Sequence, residues 1–406
     1  GRDDLFVLGN LETKRLAVLS VIFRDLHHNL AATLLHDLFG IQVRAGCMCA
    51  GPYGHLLLDI DEAHSEAIRC RLDEGHIGEK PGWVQCVACA HRCPIGPNRS
   101  GICRVRFNED GRLRVPWGYT AGGFAVDPIE KKPFYHVLPG AATLSFGMLG
   151  CNFHCPYCQN WNISQALREP DAGGDISRAT PEEVVRQAKL RRATVVVSTY
   201  NEPLITSEWA ADVFDAARAA GLKTGMVSNG HATPETLDFL KPRLDLLKID
   251  LKSFDEARYR ELGGKLKAVL DGIAGALERG LWVEVVTLVV PGFNDDDPQL
   301  QAIARFLASL SRDVPWHVTA FHPRFKMTDR PSTPPQTLLH AVEIGRAEGL
   351  RYVYPGNLRA AVPLESTFCP ECGELLVERE GFFVGKVCLE NGACPKCKTP
   401  IPGVWR

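Results

Sequence analysis

No stretch of this chain approaches the roughly 18 consecutive apolar residues of a membrane span, and no signal-peptide pattern opens it, so the sequence predicts neither insertion nor export. A surplus of charge is missing as well. Lysine and arginine number 46 against 48 acidic residues, a net charge of −2, which leaves no basic field for nucleic acid or an acidic membrane. Apolar residues at 45% and charged residues at 23% are the proportions of a globular protein. A chain of 406 residues exceeds one ordinary core and predicts roughly two to three domains. Cysteine, by contrast, is plentiful at 15 residues. In the reducing cytoplasm, the expected location, clustered cysteines mean metal more often than disulfides. Thirteen fall into four local groups: Cys47 and Cys49; Cys86, Cys89, Cys93 and Cys103; Cys151, Cys155 and Cys158; Cys369, Cys372, Cys394 and Cys397. Cys70 and Cys388 stand alone and read as packing residues.

The stretch from Gly150 to Trp161 organises the rest. It spaces three cysteines as C-x3-C-x2-C in a loop that follows the strand-like run Thr143-Leu144-Ser145-Phe146-Gly147. Cubane clusters normally take four cysteines, so a set of three leaves one iron open to an outside ligand. The bland alternatives are a zinc knuckle or three unrelated buried thiols.

From residue 143 to about 355 short β-branched runs alternate with helices, with strands expected at 143–147, 195–198, 224–228, 246–251, 283–289, 316–320 and 351–354. Thr180-Pro181-Glu182-Glu183 reads as a capping box with proline at the first helical position, Thr233-Pro234 opens another helix, and Gly221 closes the helix that starts near Thr206. Such alternation implies a parallel sheet with right-handed crossovers, as a full or partial barrel, with a doubly wound open sheet as runner-up. Barrel enzymes place their chemistry after the strands. Here the strand ends carry the three-cysteine loop, Thr199-Tyr200-Asn201-Glu202-Pro203, Ser228-Asn229-Gly230-His231, Lys248-Ile249-Asp250-Leu251-Lys252, Pro291-Gly292-Phe293-Asn294-Asp295 and Phe321-His322-Pro323-Arg324. Six coincidences of this kind argue against the bland reading.

Two further cysteine sets flank this region. Cys86, Cys89, Cys93 and Cys103 offer four thiolates around the turn-forming Gly96-Pro97-Asn98-Arg99-Ser100-Gly101, a set that fits zinc or an auxiliary iron-sulfur cluster equally well. The lysines of the proline-bounded run Asp127-Pro128-Ile129-Glu130-Lys131-Lys132-Pro133-Phe134-Tyr135-His136 read as a solvated face, with ligands for substrate as the alternative that their place beside the cysteine segment keeps open. Near the end, Cys369-x2-Cys372 and Cys394-x2-Cys397 bracket a hairpin-like insert, Leu375 to Val387, in the pattern of a zinc ribbon that could equally hold iron. Four cysteines close the ion's shell, so this set predicts a structural clip or docking surface.

The three-cysteine loop, with its aromatic just before the last cysteine, resembles the radical S-adenosylmethionine (SAM) enzymes, and the strand-end loops resemble those of glycyl-radical activating enzymes. The resemblance implies a [4Fe-4S] cluster on Cys151, Cys155 and Cys158 whose fourth iron is chelated by SAM. It places Asn201 and Glu202 at the SAM amino group, although Tyr200 and Asn201 stand where that family has two glycines. It puts Asp250 and Lys252 at the methionine end, Asn229 and His322 near the ribose, and Tyr157 beside the adenine. Residues 76–406 as a whole, including Pro128-Ile129-Glu130-Lys131-Lys132-Pro133 and the run from Cys158 to Ser164, resemble the AmmeMemoRadiSam system radical SAM enzymes. That family implies a one-electron donor of flavodoxin or ferredoxin type and makes Memo-type and Ammecr-type proteins candidate partners. Residues 5–62, with Phe39-Gly40-Ile41-Gln42-Val43 and the glycine-rich Arg44 to His55, resemble the C-terminal end of class V aminotransferases of the cysteine desulfurase type. The lysine and aspartate that hold pyridoxal phosphate in that family lie upstream of this end, so no such chemistry is assigned. The chain opens at Gly1 in mid-pattern, which reads as a fragment or processed product, and a helix is expected over Leu26 to Phe39.

The expected organisation is therefore α/β: an aminotransferase-like α+β fragment over 1–75, a four-cysteine segment over 76–140, a partial (β/α)6 radical SAM barrel over 141–365 and a zinc-ribbon-like module over 366–406. The expected reaction is reductive cleavage of SAM to a 5′-deoxyadenosyl radical that abstracts hydrogen from a substrate. Two alternatives are a glycyl-radical activase and a non-catalytic metal-binding scaffold.

Overall fold

The computed structural model describes residues 5–8, 20–23, 81–358 and 363–406. The expected helix over Leu26 to Phe39, the loop with Cys47 and Cys49, and Cys70 lie outside the described residues. The chain divides into two units, 1–79 and 80–406. In the first, Leu5–Leu8 pairs antiparallel with Ser20–Phe23.

One eight-stranded sheet dominates the second unit, built from β1 (Phe124–Pro128), β2 (Ala142–Phe146), β3 (Val195–Ser198), β4 (Lys223–Ser228), β5 (Leu246–Asp250), β6 (Trp282–Val289), β7 (Trp316–Ala320) and β8 (Val353–Gly356). The strands lie side by side in chain order, β2 through β8 all parallel and β1 antiparallel on the edge of β2. A doubly wound sheet reverses its strand order at a switch point. This one does not, and because β1 and β8 are its unpaired ends it is an incomplete barrel. The seven parallel strands fall where the β-branched runs lie, which is why β3 and β7 are buried at every position.

Helices cover the outside. Among them are α1 (Pro181–Leu190), α2 (Ser207–Ala219), α3 (Pro234–Leu240), α4 (Glu256–Glu261), α5 (Leu266–Glu278), α6 (Asp297–Leu310) and α7 (Pro335–Ala347). Their starts are set by local chemistry. Thr180 Oγ1 accepts from Glu183 N at 3.2 Å, Thr233 Oγ1 from Thr236 N at 3.2 Å, and Asp296 Oδ1 from Gln299 N at 3.0 Å. Only half of the expected capping box forms at α1, because the Glu183 carboxylate is taken by Arg186 at 2.7 Å. Gly221, at φ +79°, ends the turn after α2 as expected. Trp209, Phe214, Leu300, Ile303 and Trp316 are fully enclosed where helices meet sheet.

The four-cysteine segment folds as two short hairpins, Val84–Gln85 with Pro94–Ile95 and Phe107–Glu109 with Arg112–Arg114. It is fastened to the barrel by Arg92 to Glu235 at 2.8 Å, by Ala90 N to His231 O at 3.0 Å, and by buried Arg106, which donates to Ile205 O at 2.9 Å and pairs with Glu208. The C-terminal module is a three-stranded antiparallel sheet, Thr367–Phe368, Leu375–Glu380 and Phe383–Val387, with the expected hairpin at its centre.

The segment between β1 and β2 departs from expectation. Lys132 is buried, its Nζ donating to Asp127 at 3.0 Å and to Tyr200 Oη at 3.2 Å, so it is not part of a solvated face. Tyr135 N and His136 N both donate to the buried carboxylate of Glu284 on β6 at 2.9 Å, drawing this segment under the sheet. The C-terminal module then closes on it: Arg379, fully buried, pairs with Glu130 at 3.4 Å and donates to Tyr135 O, while Val404 N donates to His136 O at 2.7 Å. A module that locks into the barrel by a buried ion pair is a structural part of it.

Candidate active site

The C-terminal ends of the strands surround a cavity of about 670 Å³. All ten residues expected at the cluster or SAM line it: Cys151, Cys155, Cys158, Tyr157, Asn201, Glu202, Asn229, Asp250, Lys252 and His322.

The cysteine loop follows β2 and is held by its backbone. Phe153 N donates to Cys151 Sγ at 3.4 Å, Cys158 Sγ lies 3.2 Å from Ser164 Oγ, and Arg168 Nη1 donates to Cys151 O at 2.8 Å. Across the loop, Lys326 N donates to Pro156 O at 2.9 Å and Phe325 stacks on Trp161 at 5.0 Å between ring centroids. Burial drives the Cys151 thiol well up, and lifts Cys155 to about 12 against the pull of Lys252. Enclosed thiols of this kind give up their protons only to a cation bound in their place.

The loop after β3 enters through a strained turn. Tyr200 sits at φ +76°, a left-handed backbone that glycine adopts freely and a bulky side chain does not. The ring is kept there by Lys132, whose Nζ lies 4.8 Å over it. Asn201 Oδ1 accepts from Met148 N at 3.0 Å, and Glu202 accepts from Leu204 N at 3.0 Å, Ser228 Oγ at 2.8 Å and Asn229 N at 2.7 Å. Burial pushes the Glu202 carboxyl up to about 7 against those donors. Asn229 Nδ2 in turn donates to Asn152 Oδ1 at 2.7 Å, so this asparagine steadies the cysteine loop.

Strand β5 supplies a charged cluster. Asp250 is bracketed by Lys252, 3.1 Å from Oδ2, and by Lys248 on Oδ1. Burial alone would raise Asp250, yet the two lysines override it and hold the carboxyl at about 2. Lys252 is driven well above the usual lysine range although burial opposes it, because Asp250, the Cys155 thiol and the hydroxyls of Tyr157 and Tyr259 lie near it. Burial pulls Lys248 down from the usual lysine range, so Lys252 is the firmly charged member of the cluster. Tyr157 packs edge-on against Phe293, 5.9 Å between centroids, and His322 is exposed at the rim with Nδ1 3.0 Å from Ser332 Oγ.

Several wall residues lie outside the expected site set, although Lys248 and Lys132 stand in runs singled out in the sequence. Lys132, Tyr135, Lys248 and His317 line the cavity, as does Phe382 from the C-terminal module. His317 Nε2 lies 2.7 Å from Glu284, on a strand position that alternation alone would read as core. Away from the cavity, Cys369 and Cys397 approach to 3.5 Å and Cys372 and Cys394 to 3.6 Å, and all four sulfurs lie within 4.8 Å of one another, as one metal ion requires.

Comparison with known proteins accords with this geometry. The radical SAM superfamily model matches residues 147–303. An uncharacterized protein of Methanocaldococcus jannaschii is 36% identical over 316 residues, 78% of this chain and 93% of that one. The pyruvate formate-lyase-activating enzyme of Staphylococcus epidermidis is 26% identical over 196 residues, 45% of this chain and 76% of the relative. The chain belongs to the radical SAM superfamily. A solved domain of a pyruvate-formate lyase-activating enzyme from Bacteroides vulgatus aligns over 40% of this chain and 98% of its own, at 22% identity and a TM-score of 0.36. Radical SAM enzymes use a [4Fe-4S] cluster and SAM and need a one-electron donor. No helix among the described residues of this radical SAM protein is long and apolar enough to cross a membrane.

Proposed function

We propose that Cys151, Cys155 and Cys158 hold the [4Fe-4S] cluster of this radical SAM enzyme and that SAM occupies the cavity beside them. The observation that carries the reading is the shared lining: three thiols and the Lys252 ammonium border the same 670 Å³. The residues fit the group. The Cys151 and Cys155 thiols, which burial keeps protonated, suit a cationic cluster, and the Lys252 ammonium suits the SAM carboxylate.

When bound, the cluster supplies the electron that cleaves SAM to methionine and a 5′-deoxyadenosyl radical, which takes hydrogen from the substrate. The chain's own residues do the positioning. Lys252 binds the methionine carboxylate, with Asp250 fixing its ammonium. Glu202 and the Asn201 backbone receive the amino group, Tyr157 braced by Phe293 walls the adenine, and Asn229 and His322 border the ribose. Lys132, His317 and Phe382 line the part of the cavity left for substrate and exclude bulk water from it.

The finer family reading is an AmmeMemoRadiSam system enzyme, with Memo-type and Ammecr-type proteins as partners and a flavodoxin- or ferredoxin-type donor. In that reading residues 1–75 are an aminotransferase-like fragment, 76–140 the four-cysteine segment, 141–365 the barrel and 366–406 a ribbon that binds zinc or iron. A second reading, a glycyl-radical activase acting on a partner's backbone glycine, is favoured by the similarity to a pyruvate formate-lyase-activating enzyme.

The test is 5′-deoxyadenosine formation by anaerobically reconstituted protein given SAM and dithionite, beside Cys155→Ala. Product from the parent protein and none from the variant is expected. Absence of product from a protein with full iron and sulfide would sink the enzyme reading and leave a metal-binding scaffold. Glycyl-radical formation on an added partner would select the activase.

A further inference from the structure

We infer that Cys86, Cys89, Cys93 and Cys103 hold a second [4Fe-4S] cluster, seated against the loop that carries Cys151 and serving as the entry point for its electron. The electron's destination rests on the function proposed above; the second cluster itself does not.

Four thiolates on a short segment suit either one zinc ion or a cubane. The C-terminal quartet displays the one-ion arrangement in this same chain, with sulfurs paired at 3.5 and 3.6 Å. Tetrahedral zinc with bonds of about 2.3 Å demands sulfurs about 3.8 Å apart, which that quartet meets. Among the described residues no other group of metal-ligating side chains is drawn that close. The earlier quartet is nonetheless one set. Cys86 N donates to Cys93 O at 2.9 Å across a hairpin, and the loop that carries Cys103 folds back on Cys93, whose Sγ accepts from Ile102 N at 3.5 Å and lies 3.4 Å from where a side chain at Gly101 would begin. Arg106 O accepts from Gly101 N at 2.8 Å, which fixes the turn that carries Cys103, while its buried guanidinium pairs with Glu208 on the barrel. Mutual but looser grouping is what a cubane needs, since each sulfur binds a different iron.

The site abuts the Cys151 loop. A single guanidinium, Arg168, donates to Cys151 O at 2.8 Å and to Ile102 O at 2.6 Å, tying the two loops together. A side chain at Gly150 would overlap Val105 and come within 3.5 Å of Cys103 O. Asn152, next to Cys151 in the chain, is completely buried; its Nδ2 has no hydrogen-bond partner and lies beside the Cys89 thiol. An orphaned buried N–H facing sulfur is stabilised once that sulfur carries the negative charge of a cluster ligand. Cys93 is half-buried where the other three are buried, and neighbouring Ile102 is exposed, so a donor protein can approach from that side. One electron from a low-potential ferredoxin-type donor takes this cluster from 2+ to 1+, and the same electron returns it to 2+ as the Cys151 cluster is reduced.

Iron, sulfide and zinc analysis of the anaerobically reconstituted full chain tests the site. About eight irons and eight sulfides are expected, with one further zinc or iron at the C-terminal quartet. Cys155→Ala/Cys158→Ala should retain about four of each, and Cys86→Ser/Cys103→Ser the complementary four, with SAM-responsive EPR of the reduced cluster kept only in the latter. Two zincs with about four irons in the parent protein would overturn the inference. If the Cys86/Cys103 variant does not fold, the other two samples still decide. Failure of the radical SAM reading looks different, because Cys155→Ala/Cys158→Ala would then lose no iron. For the electron's path, reduction by reduced ferredoxin should be lost in Cys86→Ser/Cys103→Ser while dithionite still reduces the remaining cluster. Undiminished reduction by ferredoxin would overturn the entry role.

Discussion

Removing either side of the Lys248, Asp250 and Lys252 cluster should move stability and SAM binding in separable ways. Asp250→Asn leaves two buried cations without their shared anion. Asp250 is held at about 2 against an ordinary 3.8, a gap worth about 2 kcal/mol at neutral pH once screening by water in the cavity is allowed for, the side chain being 31% exposed. Because the carboxyl is depressed in the folded protein, that stability is present above its ordinary range and is lost as pH falls through about 2. Urea unfolding at pH 7 should therefore show Asp250→Asn weaker by about 2 kcal/mol, a thermal midpoint lower by roughly 4 °C, with the difference shrinking toward pH 3. Lys252→Met leaves the Lys248–Asp250 contact in place, so it should cost less stability than Asp250→Asn, while SAM binding weakens by roughly ten- to a hundred-fold, the worth of one charge-assisted contact. Equilibrium dialysis of reconstituted protein with SAM reads the second quantity. Unchanged affinity in Lys252→Met, or unchanged stability in Asp250→Asn, would refute the reasoning.

Other parts of the structure make equally concrete predictions. Arg379→Leu should destabilise by about 3–5 kcal/mol because Glu130 is left buried and unpaired, and adding Glu130→Leu should recover much of the loss in the same thermal melt. Gly150→Ala combines φ +90° with overlap on Val105, so a cost of about 1–3 kcal/mol and reduced iron loading are expected, with Val105→Ala partly restoring both. Cys394→Ser should release about one zinc or iron per chain and lower the melting midpoint, since the ribbon it closes carries the Arg379 anchor. Metal analysis showing full occupancy in that variant would contradict the single-ion site.

Local sequence carried the barrel because each of its elements announces itself within a few residues. The β-branched runs located all seven parallel strands to within two residues, and Thr180 and Thr233 marked helix starts by a cap that needs only the next three positions. The strand-end loops were legible for the same reason: polar residues such as Asn229 and Lys252 interrupt apolar runs at positions where burial would exclude them. Partners across the sheet were another matter. The amide of Asn229 donates to Asn152, 77 positions away, and nothing near either residue encodes that meeting. Lys132 looked like surface because lysine usually is; it is buried because Asp127 and the ring of Tyr200 answer its charge, and Tyr200 is 68 residues further on.

That last contact also explains a departure from the family pattern. A tyrosine at φ +76° costs about 1–3 kcal/mol of backbone strain that a glycine would not incur. The strain persists because the ring gains a cation, and the cation gains a place at the cavity wall beside the residues assigned to SAM. Tyr200→Gly should therefore relax the turn while freeing Lys132 from one of its two partners, so that stability changes little and the substrate end of the cavity loses its fixed charge. A variant that melts well below the parent protein would mean that the tyrosine is there for packing, and that Lys132 owes its position to Asp127 alone.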